Sequence, residues 1–310
     1  MALLALFVVL GFVGLLAGSV LAIRAARRRA WPGLVFSLLL VIAALVFLLG
    51  LSTSRSLAVQ PLSLSLAGGG GGQHMRVAFC ADLHLGLYKG SEWSEKMAQI
   101  IQQAAPDLLL FGGDFTYRTS PQELAPLLHP FASVKPLLGT YAVLGNHDYG
   151  FPGLDVSETL IRVLVEDGVK VLQNEQVNLP GGLVLVGLDD LWAGRTQSCL
   201  VEGAIQNRTG PVLVFSHNPD MLKAHPPVGP GEQIVSEDRP RLLWLFGHTH
   251  GGQVRFPLIG PLFLSTDLHY DRGLFDTPWG RIFVTQGAGE VGLPVRLLTR
   301  PEVILLDLSY

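Results

Sequence analysis

Cysteine is nearly absent: 310 residues contain two, Cys80 and Cys199. That excludes a disulfide framework and any zinc site built on thiolates. Cys80, inside the apolar run VAFC, reads as a small buried apolar residue. Acidic residues are missing from residues 1–75, where five arginines are the only charged side chains. Setting those five aside from the 22 basic residues leaves 17 opposite 25 acidic ones, a net of −8 from residue 76 onward. A nucleic-acid-binding surface carries a basic footprint. The sequence has neither that footprint nor an aromatic–basic stripe, so a nuclease is disfavoured. There is also no internal repeat.

Apolar sequence, by contrast, is abundant and concentrated. Met1 to Ile23 carry no charge, and Trp31 to Leu51 repeat the pattern, broken only by Pro32, two glycines and Ser37. Each run is long enough to cross a hydrocarbon core of about 30 Å as a helix. Arg24, Arg27, Arg28 and Arg29 lie between them. A cleaved signal peptide is the rival reading, but its basic residues should precede the apolar stretch, and no second stretch should follow. The expectation is a transmembrane hairpin over residues 1–52 with a basic loop at 24–30. The positive-inside rule places that loop in the cytoplasm and everything after the second helix on the outer face. Residues 53–74, rich in Ser, Leu and Gly and closing on Gly68 to Gly72, read as a flexible tether. A domain at 75–310 follows.

From Arg76 onward, short apolar runs alternate with amphipathic segments. The pattern predicts helices over Glu92–Ala104, Gln122–Leu128, Val156–Asp167, Ser198–Gln206 and Asp220–His225. Ser120 to Glu123 and Asp155 to Glu158 have capping-box spacing. Leu262–Leu264, Gly280–Thr285 and Val303–Leu306 read as strands, and Pro226 to Pro240 as an irregular loop. Strand–helix alternation followed by strands predicts an α/β fold of two stacked sheets flanked by helices.

Five polar groups end or follow these apolar runs: ADLH with Asp82 and His84, GGD with Asp114, GNHD with Asn146, His147 and Asp148, SHNPD with His217, and GHTH with His248 and His250. Side chains two apart on an extended segment share a face, so Asp82 with His84, and His248 with His250, should grip together. Two divalent ions need carboxylate and imidazole donors with one carboxylate between them, and this set supplies them. Asn146 offers a neutral carbonyl oxygen. His147 can act as general acid with Asp148 to orient it, and Gly251 and Gly252 would let backbone approach a substrate closely. Each group alone is a common turn; together, in this order, they point to two-metal hydrolysis. The expected cofactors are two divalent ions, Mn²⁺ first, with Fe and Zn²⁺ behind it. His129, His225 and His269 read as structural or surface residues.

These groups, in this order, resemble the signature of the calcineurin-like metallophosphoesterases, from about Arg76 to the C-terminus. GHTHGGQVRFPLIGPL and GAGEVGLPVRLLTRPEV are similar to a membrane-anchored bacterial branch that includes phosphodiesterases and UDP-2,3-diacylglucosamine hydrolases of lipid A synthesis. The resemblance implies a four-layer α/β/β/α sandwich. It implies one ion on Asp82, His84, Asp114 and His250, and a second on bridging Asp114, Asn146, His217 and His248. His147 would be the acid, and Gln286 stands where arginine is common. The implied activity is phosphoester hydrolysis by metal-activated hydroxide, of a diester first and of UDP-2,3-diacylglucosamine as the alternative, with a non-catalytic metal scaffold less favoured. The implied partners are a phosphoester, lipid-linked in one reading, and the bacterial inner membrane. The lipid A alternative would require a cytoplasmic domain.

Overall fold

A computed structural model describes residues 2–67, 72–206, 210–227, 234, 241–267 and 270–310. Gly68–Gly71, most of the 226–240 loop and His269 lie outside the described residues.

Two antiparallel helices lead the chain, α1 (Ala2–Arg27) and α2 (Trp31–Thr53). Both contain spans long and apolar enough to cross a membrane. Glycines let them approach closely: a Cβ on Gly11 would lie 2.5 Å from Leu48, and one on Gly18 3.0 Å from Val41. Phe7 and Phe47 meet at one end with ring centroids 6.3 Å apart, and the arginine loop closes the other.

Residues 58–65 are not a tether. They form β1 (Ala58–Ser65), an edge strand that runs parallel to β16 (Glu302–Ser309) over eight residue pairs. The cause is an alternation in PLSLSLA: Leu64 and Leu66 are buried while Ser63 and Ser65 face out. The Ser/Leu composition hides this period-two signal.

The first sheet continues from β16 through β2 (His74–Cys80), β4 (Leu108–Gly112) and β6 (Thr140–Val143) to β7 (Val169–Val171). The second runs β14 (Gly273–Thr277), β15 (Gly280–Val284), β11 (Leu242–Phe246), β10 (Val212–Phe215), β9 (Val184–Gly187) and β8 (Glu175–Asn178). Two short pairs complete the set: β3 (Leu85–Gly86) with β5 (Thr116–Tyr117), and β12 (Arg255–Phe256) with β13 (Gly260–Pro261).

Strand alternation sorts the apolar residues into three cores, hence four layers. Val77, Phe79, Leu108 and Leu110 meet Leu213, Phe215, Leu243 and Leu245 between the sheets. Ala78, Cys80, Leu109 and Phe111 face the other way, onto α3 (Ser91–Ala104), α4 (Leu124–Leu128) and α5 (Ser157–Glu166). Val212, Val214, Trp244 and Phe246 pack toward α6 (Cys199–Gln206) and α7 (Met221–Ala224). The α/β/β/α expectation holds, and all five predicted helical segments are helical.

Two local expectations fail. Leu262–Leu264 is irregular: the β12–β13 pairing ends at Pro261, and beyond it the Leu262 N–H still reaches the Val254 carbonyl at 3.0 Å before the chain leaves the ribbon. The Asp155 box does not form: Asp155 accepts from the Ser157 N–H at 2.9 Å, so the helix starts at Ser157 and Glu158 is left out of the cap. The box at Ser120 does form, Glu123 accepting from the Ser120 N–H at 2.9 Å.

Candidate metal centre

The strands β2, β4, β6, β10 and β11 end at one edge of the stacked sheets, and the loops after them carry the polar groups. These loops are not extended continuations of the strands. Asp82, His84, Asp114, His248 and His250 all have positive φ, between 44° and 70°. The alternating-face argument for Asp82/His84 and His248/His250 therefore fails; each pair converges through left-handed backbone instead. Such conformations cost L-residues roughly 1–3 kcal/mol each and persist only where surroundings enforce them. Glycines do the enforcing. A Cβ on Gly145 would sit 2.3 Å from the Asp114 carboxylate, and Cβ atoms on Gly247 and Gly287 would lie 2.7 Å from Asp82.

The convergence is tight. Asp82, His84 and His250 form one cluster of potential ligands, and Asp114, His217 and His248 another. Asp114 lies between them: its Oδ2 is 3.5 Å from His84 Nε2 and 3.1 Å from His217 Nε2. His84 and His250 turn Nε2 atoms to each other at 3.1 Å, and His248 Nδ1 faces His217 Nε2 at 3.2 Å. Outer contacts fix the rings. His217 Nδ1 meets the Gly112 carbonyl at 2.9 Å and His248 Nε2 that of Ser265 at 3.1 Å, leaving the other nitrogens to face inward. The Asn146 amide donates to the Phe151 carbonyl, while its buried Oδ1 has no partner.

Electrostatics fit the same use. Burial holds the His84 and His248 imidazoles down to about 3, and His250 well below its ordinary value, so they are neutral and ready to bind a cation. Burial pushes Asp82 up to about 7. At Asp114 and His217 burial opposes ionisation of both, but their mutual attraction wins: Asp114 is held well below the carboxylate range and His217 raised to about 10. Opposed imidazole nitrogens, a shared carboxylate and an orphaned carbonyl oxygen together fit two cations.

His147 is half-buried at the cavity wall, its ring 4.9 Å from that of His84, and its N–H donates to Asp114 Oδ1 at 2.8 Å. Asp148 does not orient it. The Asp148 carboxylate is buried and accepts from the N–H groups of Gly145, Phe115 and Thr116 at 3.0, 3.3 and 3.2 Å. It clamps the loop after β4 to the loop after β6. Gly251 and Gly252 also differ from expectation. Both are buried, and Cβ atoms there would meet Gln286 at 3.0 Å and Pro261 at 2.3 Å. Close protein packing requires them, although Gly252 does line the cavity.

Three further residues belong to the centre. Asp190 is buried beyond β9, with one unpartnered oxygen, and burial raises it to about 6. It had a sequence signal, since VLVG followed by LDD repeats the run-then-carboxylate pattern. Trp192 stands edge-on to His248 at 4.9 Å. Arg296, fully buried, brings Nη2 to 3.4 Å from His250 Nδ1, 46 residues away, and nothing in the sequence pairs them. A cavity of about 710 Å³ opens over the centre, touching Asp114, Asn146, His147, His248 and His250 and walled by Leu262, Phe263, Leu264, Val291, Leu293 and Val295.

Comparison with known proteins agrees with this geometry. Residues 75–252 match the calcineurin-like phosphoesterase family. The chain is 35% identical over 241 residues to phosphodiesterase YaeI of Escherichia coli, covering 75% of this chain and 82% of that one. It is 29% identical over 287 residues to the uncharacterized metallophosphoesterase YkoQ of Bacillus subtilis, covering 86% and 98%. It is 24% identical over 294 residues to the UDP-2,3-diacylglucosamine pyrophosphatase LpxG of Chlamydia muridarum, covering 76% and 84%.

Proposed function

The chain belongs to the calcineurin-like phosphoesterases and is a metal-dependent phosphoester hydrolase; on that premise we propose that it is a membrane-anchored phosphodiesterase working with two divalent ions. One observation carries the two-ion reading: the Asp114 carboxylate stands between two imidazole clusters. Asp82, His84, His250 and Asp114 would hold one ion, and Asp114, Asn146, His217 and His248 the other, with Mn²⁺ the metal that best suits the mixed set. When bound, such a pair supplies Lewis acidity and a nucleophile at neutral pH. His147, on the cavity wall and tied through its backbone to Asp114, gives its ring proton to the leaving oxygen as the P–O bond breaks.

The anchor in this reading is the α1–α2 hairpin. The domain meets it at the end away from the arginines: Tyr88 packs on Phe7, and the Arg296 N–H donates to the Gly50 carbonyl at 3.0 Å. With Arg24–Arg29 in the cytoplasm, the domain faces outward. A second reading, hydrolysis of UDP-2,3-diacylglucosamine, draws on the name of the Chlamydia relative and the apolar cavity wall; it requires the opposite sidedness.

The test is the purified full chain, stripped and reloaded with Mn²⁺, Fe²⁺ or Zn²⁺, assayed on a phosphomonoester, bis(p-nitrophenyl) phosphate and UDP-2,3-diacylglucosamine, beside Asp114→Asn. Diester turnover that needs metal, and falls by several orders of magnitude with the bound metal in the variant, is expected. Near-full turnover by a folded, metal-loaded Asp114→Asn protein would overturn the two-ion reading. Preference for the nucleotide lipid would install the second one.

A further inference from the structure

Residues 256–264, FPLIGPLFL, contain no charged or polar side chain, yet they stand out from the domain. Leu258 is 107% exposed, Ile259 77% and Phe263 76%. β12 and β13 form a narrow ribbon with these residues at and beyond its tip. Leu258 sits there at φ 66°. A tip position with positive φ is normally filled by Gly, Asn or Asp, which tolerate the backbone and like water. A leucine is unfavourable on both counts, so the tip is adapted to something other than water.

The ribbon's position says what that is. Val254 bridges to Leu297, and the Arg255 N–H donates to the Leu297 carbonyl at 3.0 Å. The neighbouring residue, Arg296, is held by Gly50 near the C-terminal end of α2, and a Cβ on Gly50 would lie 3.1 Å from Val295. The ribbon is thus one irregular segment, 293–298, removed from the place where the apolar hairpin meets the domain. Leu293 and Leu298, on the segment between, are half exposed.

We propose that the β12–β13 ribbon dips into the outer layer of the same bilayer that the hairpin crosses, so that the chain holds the membrane at two places and the cavity mouth lies at the lipid surface. This rests on the anchored reading above. Leu258 and Ile259 form the inserted tip, and an interfacial element of this kind reaches about 5–10 Å into the headgroup–acyl boundary. Leu262 and Phe263, which wall the cavity, stand at the water–lipid boundary and join the site to the membrane.

The experiment uses the full chain in phosphatidylcholine–phosphatidylglycerol vesicles. Exposed Cys199 is changed to Ser and buried Cys80 is kept. A bimane label is placed in turn by Leu258→Cys, Ile259→Cys, Leu39→Cys on the outer face of α2, and Leu137→Cys on a distant exposed loop. Nitroxide-bearing lipids should quench the labels at 258 and 259 at least threefold more than the one at 137, and aqueous iodide should show the reverse order. Labels at 258 and 259 that behave like 137 while 39 is quenched would overturn the ribbon's insertion and leave the anchor standing. Absence of lipid quenching at 39 as well as at 258 and 259 would overturn both.

Discussion

At the scale of single residues, adjacent positions in GNHD have unrelated duties. His147 faces the cavity, whereas Asp148 closes three backbone N–H groups from two loops. The substitutions should separate accordingly. His147→Ala should lower kcat on diesters with poor leaving groups, less so with nitrophenolate, and keep its metals and melting temperature. Asp148→Ala should destabilise the fold by about 3 kcal/mol, since buried donors would be left without acceptors, and denaturant unfolding reads that directly. Equal unfolding midpoints for the two variants would contradict this division. Protonation gives a second prediction. In the metal-free centre His217 keeps its proton up to about pH 10, because Asp114 outweighs burial, so a metal ion must eject it. Asp82, raised to about 7 by burial, adds a second proton below that pH. Metal affinity should therefore rise with pH, with about one proton released above pH 7 and more below it. Titration calorimetry in buffers of different ionisation enthalpy counts these protons, and a zero count would contradict the assignment.

At the scale of elements, the convergence of the candidate ligands was legible because they follow apolar runs, and strand ends in α/β folds gather at one edge. How they meet was not legible. The period-two rule assumes extended backbone, and the left-handed turns at Asp82, His84, Asp114, His248 and His250 break it. Gly145, Gly247 and Gly287 press on the two carboxylates from three separate loops, a relation that linear spacing cannot carry. The pairing of Arg296 with His250 was hidden for the same reason. β1 was missed on different grounds: serine and leucine in alternation look like a linker by composition and like a half-buried strand by period. Leu64 decides between them. As part of the inter-sheet core, Leu64→Ala should cost about 2 kcal/mol in unfolding free energy, whereas in a solvated tether it would cost nothing measurable.

At the scale of the whole molecule, the hairpin and the domain meet at the end of the helices opposite the arginines, which ties sidedness to substrate. A reporter joined after Tyr310 should be active as alkaline phosphatase and dark as green fluorescent protein. The reverse would put the domain in the cytoplasm and favour the nucleotide lipid. The pairing of β1 with β16 has a mechanical consequence. The strand that leaves the hairpin lies alongside β16 through eight residue pairs before the chain enters the rest of the domain. If the hairpin is held in a bilayer, as proposed, a pull directed along these strands would load the rungs of that ladder together in shear instead of peeling them one at a time. A slack leash would pass such a tug to the first weak loop; in the anchored reading the sheet itself would be the coupling, and the candidate metal centre would follow its mooring.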